Sequence, residues 1–282
     1  MAKAPHLTLA ALLVLVGIPL PPAAEAQDAS AWDAQPHTAA RLIGGSVMKS
    51  ADSAFLHAGV EIKLDPGWKT YWRDPGDSGV PPSLDFSGST NVKSIDIRWP
   101  APERFPDGAG GHSIGYVDHI VLPLRIAQET AGKPSTLQLK LSYAVCGTLC
   151  VPAEATLRLA LTGNGAEETA LEKAEIRVPH RVALGPRNGL AVLSVHREHG
   201  DPRDRVVVEV AAPPDAAVDL FAEGPTPDWS LPLPEATSTA GKTRKFTFDL
   251  DGLPGDAQAK GSTLILTAVS GDEAIEVPAH LD

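Results

Sequence analysis

The feature that most constrains the fold is an alternation of apolar and polar residues, which recurs in short segments along the chain. A period of two is typical of a β-strand with one buried face, and residues 56–64 keep it throughout. The same period recurs at residues 95–99, 120–126, 137–145 and 157–161. Turn-forming sequences separate these segments, and the chain has 26 prolines and 25 glycines. Residues 27–165 are therefore predicted to form an antiparallel, immunoglobulin-like β-sandwich.

A second series of alternating segments, without any cysteine, predicts another, smaller sandwich over residues 187–282. The segments are residues 206–210, 218–220, 246–250, 264–268 and 275–277. Between the two series, residues 166–186 are predicted to form a linker. Its segment AEETALEKAE has good helix formers but few apolar positions to bury, so we expect at most a short surface helix. The predicted fold class is all-β, with two consecutive immunoglobulin-like antiparallel β-sandwich domains.

The N-terminus has the pattern of an export signal over residues 1–26. Lys3 and His6 precede an apolar run at residues 7–20, and Ala24-Glu25-Ala26 supplies a cleavage site with small residues. The run of about 14 residues is shorter than the roughly 20 that a membrane-spanning helix needs, and no later segment comes close. We therefore expect an exported protein whose mature chain has no membrane span, for which a bacterial periplasm fits best and secretion is the alternative. An oxidising compartment of this kind allows a disulfide to persist.

Charge and motifs exclude several classes of function. The formal net charge of −11, with no concentrated positive patch, argues against binding to nucleic acid or an anionic membrane. No phosphate-binding glycine loop or dinucleotide fingerprint occurs, so no cofactor is predicted. His196 and His199, with Asp201 or Asp204, lack further ligands nearby and are interpreted as a solvated loop. The acidic segment 249–256 contains a proline and lacks the closing glutamate of a calcium loop, so no metal site is predicted.

The two cysteines of the chain lie close together in the segment YAVCGTLCVP, as Cys146 and Cys150. They fall at the ends of two predicted strands joined by a connection that is short enough for a β-hairpin. Directly opposite each other, they would have Cα atoms about 4.5 to 5.5 Å apart, within disulfide range. Such a bridge closes a loop of about five residues and contributes only roughly 2 kcal/mol. Spacing alone leaves a structural bridge and an exchangeable one equally open.

The local sequence offers no activation of a thiolate at this pair. No lysine or arginine lies between Lys140 and Arg158, and the negative charge of Glu154 would raise the pKa of a nearby thiol. Activation must therefore come from residues that are distant in sequence.

The amino-acid sequence around the cysteines indicates a protein family more specifically than the spacing of the cysteines does. The segment YAVCGTLCVPAEATLRL resembles the cysteine-containing end of the N-terminal periplasmic domain of the DsbD thiol:disulfide interchange proteins, including the ScsB-type proteins. The resemblance continues upstream through GWKTYWRDPGDSGVPPSLDFSGSTNV, RWPAPERF and GYVDHIVLPLRI, in the order of that family. It covers roughly residues 55–161, and the second half resembles the additional β-domain of the ScsB-like branch.

The resemblance implies roles for particular residues. Cys150 corresponds to the family's second cysteine, which forms mixed disulfides with partners, and Cys146 corresponds to the resolving cysteine. The family shields the pair with a cap loop, which corresponds here to residues 105–112. The candidate cap residues are Phe105, Asp107 and His112. Tyr71 and Trp72 correspond to an aromatic cluster that flanks the pair, although ordinary core packing explains them equally well.

The resemblance also implies partners. The sequence contains no membrane-embedded region and no thioredoxin-like Cys-x-x-Cys domain, so we expect a separate electron donor, either a membrane protein or a thioredoxin-like protein. The expected acceptors are oxidised disulfide isomerases or other thioredoxin-like periplasmic proteins, which makes the chain a component of a protein-disulfide reductase. The alternative is a non-enzymatic periplasmic binding module in which the disulfide only stiffens a hairpin.

Overall fold

The computed structural model describes Met1 and residues 28–49, 54–108, 110–200, 203–255 and 257–282. The predicted export signal lies outside the described residues. Within them, the chain forms β-strands and one α-helix, which confirms the predicted all-β class. None of the described helical segments is long and apolar enough to cross a membrane.

The first eleven strands form two sheets that face each other. They are β1 Asp33–Gln35, β2 Thr38–Lys49, β3 Ala54–Leu64, β4 Lys69–Gly76, β5 Ser83–Asp85, β6 Ser94–Ile97, β7 Glu103–Pro106, β8 His112–Val117, β9 His119–Ala127, β10 Ser135–Cys146 and β11 Cys150–Leu161. One sheet has the order β1-β2-β3-β9-β6, and the other has the order β11-β10-β4-β8-β7, with β5 paired to β10. All of these pairings are antiparallel.

The core of this first sandwich consists of the apolar residues that the alternation places on the inner faces. It includes Leu42, Val60, Leu122, Leu124, Leu139 and Leu157. Every segment of the first alternating series overlaps a strand of the structure. The period of two therefore located five of the eleven strands of this sandwich, β3, β6, β9, β10 and β11.

The strand β3 differs from its predicted state, because both of its faces are buried. The helix α1 (Glu168–Ile176) covers the outer face, and Leu171 packs there against Ile43 and Val121 with no exposed surface. His57, which points outward from β3, has its Nδ1 atom 2.7 Å from an oxygen of Glu168. The helix buries more than its few apolar positions suggested, since its glutamates pair with polar groups of the sheet.

The remaining strands form a second pair of facing sheets. They are β12 His180–Arg181, β13 Ala191–Glu198, β14 Arg205–Ala211, β15 Asp219–Glu223, β16 Glu235–Ala240, β17 Thr243–Asp249, β18 Thr263–Ser270 and β19 Glu273–His280. The sheet orders are β12-β19-β18-β15 and β13-β14-β17-β16. Their core includes Val206, Val208, Leu220, Leu264, Leu266 and Val277. The predicted linker region contains α1, which packs on the first sandwich, and β12, which pairs with β19 in the second.

Candidate active site

The cysteines occupy the tip of the hairpin formed by β10 and β11. The two strands pair in an unbroken antiparallel register that runs from Ser135 opposite Leu161 to Cys146 opposite Cys150. The cysteines form a disulfide, and their Cα atoms are 4.1 Å apart. The turn between them is closed by the Gly147 N–H, which donates to the Leu149 carbonyl at 3.1 Å. The predicted hairpin placement of the pair is therefore confirmed.

The two cysteines differ in their accessibility. Cys146 is 9% exposed, whereas Cys150 belongs to the exposed tip of the hairpin. Leu149, immediately before Cys150, is 76% exposed. An attacking thiolate must reach a sulfur atom, so this asymmetry favours Cys150 as the point of attack.

A tyrosine from a neighbouring strand contacts both sulfur atoms. Strand β4 pairs with β10 so that Lys69 lies opposite Cys146. The Tyr71 hydroxyl lies 3.0 Å from the Sγ atom of Cys146 and 3.4 Å from that of Cys150. A disulfide sulfur carries no hydrogen, so the hydroxyl is the donor. Burial raises the pKa of Tyr71 above its ordinary value, which keeps this proton in place at neutral pH.

The disulfide borders a small cavity of about 210 Å³. The lining side chains include Lys69, Tyr71, Phe105, Asp107 and Ser113, beside both cysteines. Phe105 is 8% exposed, and the ammonium of Lys69 lies 4.8 Å from the centre of its ring. Residues from β4, β7 and β8 thus meet at the end of the cysteine hairpin.

A match to a known protein family covers the part of the chain that contains the disulfide. Residues 46–162 match the sequence model of the family described as "Thiol:disulfide interchange protein DsbD, N-terminal". This part of the chain is a DsbD N-terminal domain. The family and the disulfide together support thiol–disulfide exchange as the chemistry of the site. No match was found among curated protein sequences.

A solved structure extends the similarity in fold beyond the DsbD N-terminal domain. The crystal structure of the N-terminal periplasmic domain of ScsB from Proteus mirabilis superposes with a TM-score of 0.69 at 22% sequence identity. The alignment covers 90% of this chain and 98% of that one. Both sandwiches therefore have their counterpart in one known fold.

The predicted cap segment, residues 105–112, includes Phe105 and Pro106 at the end of β7 and His112 at the start of β8, and residue 109 lies outside the described residues. Phe105 and Asp107 line the cavity at the disulfide. His112 is not among the lining residues, and its backbone is paired with Asp77. The His112 N–H donates to the Asp77 carboxylate at 3.0 Å, and its carbonyl accepts from the Asp77 N–H at 3.0 Å.

Trp72 is also absent from the cavity, which corrects its expected place beside the cysteines. Adjacent residues of a strand point to opposite faces, so Tyr71 and Trp72 cannot both reach the sulfur atoms. Trp72 is fully buried, and its ring centre lies 5.8 Å from that of Phe221 in the second sandwich. The alternative interpretation of Trp72, core packing, is the one that the structure supports.

The sequence around the cysteines contains no positive charge, and it did not reveal Lys69. In the folded chain, Lys69 supplies a positive charge beside the cysteines. It reaches the site only through the pairing of β4 with β10, a contact between residues 77 positions apart. Of the four candidate metal ligands, the structure describes His196, His199 and Asp204. The His199 Nδ1 atom lies 3.1 Å from Asp204, and no group of three potential ligands occurs within the described ranges, from which Asp201 is missing.

Proposed function

We propose that the chain is a periplasmic thiol–disulfide exchange protein, which passes electrons from a separate donor protein to oxidised thiol proteins through Cys146 and Cys150. The observation that carries this proposal is the disulfide at the hairpin tip, with Cys150 exposed and Cys146 shielded under Tyr71. The periplasmic location is supported by the predicted export signal and by the periplasmic domain of ScsB, which has the same fold.

The reductive half of the cycle begins at the disulfide that the structure contains. A thiolate of the electron donor, a thioredoxin-like or membrane protein, attacks the Cys150 sulfur and breaks the bond to Cys146. Cys146 leaves as a thiolate, and the Tyr71 hydroxyl, 3.0 Å away, donates a hydrogen bond to it. A second thiol of the donor then attacks the mixed disulfide and releases Cys150 as a thiolate. Two electrons have moved, and the donor holds a new disulfide.

The second half of the cycle transfers these electrons to an acceptor. The Cys150 thiolate attacks a disulfide of the acceptor, and one acceptor sulfur leaves as a thiolate. Cys146 then attacks the Cys150 sulfur, restores the original disulfide and releases the acceptor with both sulfurs reduced. The chain thereby acts as a protein-disulfide reductase component whose acceptors are thioredoxin-like proteins or disulfide isomerases.

Two side chains of the cavity, Lys69 and Tyr71, favour the thiolate forms that both steps need. A positive charge near a cysteine lowers the pKa of its thiol, and Lys69 lines the same cavity as the two cysteines. The Tyr71 hydrogen bond acts in the same direction, because it is stronger to a thiolate than to a thiol. Asp107 opposes these effects through its negative charge.

The alternative role, a binding module with a structural bridge, is weakly supported by the hairpin itself. The strands β10 and β11 pair over their full lengths, and the disulfide closes a loop of only five residues. Its stabilising effect is therefore about 2 kcal/mol, small beside the pairing that already holds the strands.

Trapping of a partner tests the proposal. The Cys146→Ser variant, in the reduced state, is expected to accumulate a mixed disulfide through Cys150 with an oxidised thioredoxin-like protein, since the resolving thiol is missing. The Cys150→Ser variant is the control and should form much less. Absence of any adduct, together with a reduction potential below about −300 mV, would establish the structural bridge instead.

A further inference from the structure

The second sandwich contacts strand β4 immediately next to the redox site. Tyr71 points from this strand toward the cysteines, while the next residue, Trp72, packs against Phe221 of β15. The Trp72 side chain is fully buried, and Phe221 is 1% exposed. The two sandwiches therefore share apolar core at the strand that carries Tyr71.

An arginine on the same strand adds a directional contact. The Arg73 guanidinium donates two parallel hydrogen bonds of 2.7 Å to Glu223 of β15 and a third of 2.9 Å to Glu276 of β19. All three side chains are partly buried, so solvent screens these charges less than on an open surface. Bidentate pairing fixes the orientation of the guanidinium plane as well as its distance. Arg73 thus sets the position of β4 relative to the second sandwich.

The same strand of the second sandwich also contacts the cap side of the cavity. Arg104 of β7 precedes Phe105, and its Nη2 atom donates to the Leu220 carbonyl at 3.0 Å and to the Pro234 carbonyl at 3.1 Å. Its guanidinium lies 5.7 Å from the centre of the Phe221 ring. Strand β15 therefore contacts the chain neighbours of both Tyr71 and Phe105, the two aromatic residues that line the redox cavity.

We infer that β15 of the second sandwich is a positioning element for the redox site, acting through Arg73 and Arg104 on Tyr71 and Phe105. Neither arginine lines the cavity at the cysteines, so both are positioning residues. The inference rests on the proposed exchange function. It gives the cysteine-free sandwich a role in setting how readily the disulfide is reduced.

The expected effect follows from the hydrogen bond of Tyr71. The hydroxyl bonds a thiolate more strongly than a disulfide sulfur, so its correct placement favours the reduced state. When β4 loses its anchor, this bond weakens and the equilibrium moves toward the disulfide. Loss of one such bond corresponds to a change of about 5-fold in the redox equilibrium constant.

The test measures the equilibrium of the Cys146–Cys150 pair with dithiothreitol in the full chain, which needs no protein partner. We expect Glu223→Gln to shift it toward the disulfide by about 3-fold and Tyr71→Phe by about 5-fold. Phe221→Leu, which removes the contact with Trp72 but keeps an apolar residue, should act in the same direction. The control is Glu273→Gln, because this carboxylate bonds the Leu190 N–H within the second sandwich.

A double-mutant cycle separates positioning from general destabilisation. If β15 acts through Tyr71, adding Glu223→Gln to Tyr71→Phe produces no further shift. An equal shift in both backgrounds, or none in a folded Glu223→Gln single variant, overturns the inference. The proposed function fails by a different result, the absence of any protein adduct with Cys146→Ser, which the dithiothreitol equilibrium does not measure.

Discussion

The two sandwiches each contain a long antiparallel hairpin, and the two hairpins differ at their tips. In the first sandwich, β10 and β11 end with Cys146 opposite Cys150. In the second, β18 and β19 end with Ser270 opposite Glu273, around Gly271 in a left-handed conformation with φ of 58°. The second hairpin keeps its register without any covalent link. The comparison shows that an antiparallel hairpin of this protein can keep its register without a disulfide, which agrees with the proposed exchange role of the cysteine pair.

The largest expected effect comes from making the first hairpin resemble the second. The double substitution Cys146→Ser/Cys150→Ser should abolish thiol–disulfide exchange, a loss of more than about 1000-fold, since the reacting sulfur atoms are gone. The free energy of unfolding should fall by only about 2 kcal/mol, because the closed loop is short. Exchange with a thioredoxin-like protein and urea unfolding measure the two quantities. A loss of stability far above this value would make the bridge a structural one.

The cores of the two sandwiches can be compared by replacing one buried tryptophan in each. Trp72 lies in the core shared at the junction, and Trp229 lies in the core of the second sandwich. Either substitution by alanine should lower the free energy of unfolding by about 3 to 5 kcal/mol, because each removes a large buried ring. Only Trp72→Ala should also change the redox equilibrium with dithiothreitol, since it disturbs the strand of Tyr71. Equal shifts of the redox equilibrium in the two variants would show that the core around Trp72 has no special connection to the redox site.

A smaller effect is expected from Asp74, which lies on β4 close to the charges of the junction. Its pKa is raised to about 6, mainly by burial and also by the charge of Glu223, against the opposing hydrogen bond from the Gly76 N–H. The folded state therefore binds more protons than the unfolded state between about pH 4 and 6, so this carboxyl lowers stability as pH rises through that window.

The Asp74→Asn variant removes this titration. Relative to the natural protein, its free energy of unfolding should rise by about 1 to 2 kcal/mol between pH 4 and 7, less than the full shift implies because Asp74 retains some solvent contact. Urea unfolding at several pH values measures the difference, with Asp272→Asn at the exposed turn of the second hairpin as the control. Parallel pH curves for the natural protein and the Asp74 variant would contradict the prediction.

The smallest effect on stability is expected at the tip of the cysteine hairpin. Leu149 is 76% exposed, so Leu149→Ser should change the free energy of unfolding by less than about 0.5 kcal/mol, as should Leu184→Ser, at a leucine that is 42% exposed. Leu149→Ser should nevertheless slow reaction with a thioredoxin-like protein by about 3-fold while the reaction with dithiothreitol stays the same. If Leu149→Ser and the natural protein react with the thioredoxin-like protein at the same rate, the hairpin tip makes no contact with that partner.

Much of the fold follows from local pattern, because a period of two identifies a strand and its buried face. The cysteine hairpin was predictable for the same reason, since its strands are adjacent in sequence. The opposite directions of Tyr71 and Trp72 were also available from the alternation. The place of Lys69 and the cover that α1 gives to β3 were not, because they depend on which distant segments pair or pack. Local sequence carries no information about such partners.

The fixed register of the cysteine hairpin has a kinetic consequence. The pairing of β10 with β11 runs over twelve residue pairs, so we expect it to hold the two cysteine backbones together even when the sulfur atoms are not bonded. In the mixed disulfide through Cys150 that we propose, the thiol of Cys146 would therefore be present at a high effective concentration, and release of the partner would be an intramolecular reaction. Covalent complexes of the natural protein should accordingly be short-lived, so that one molecule can serve many partners in succession.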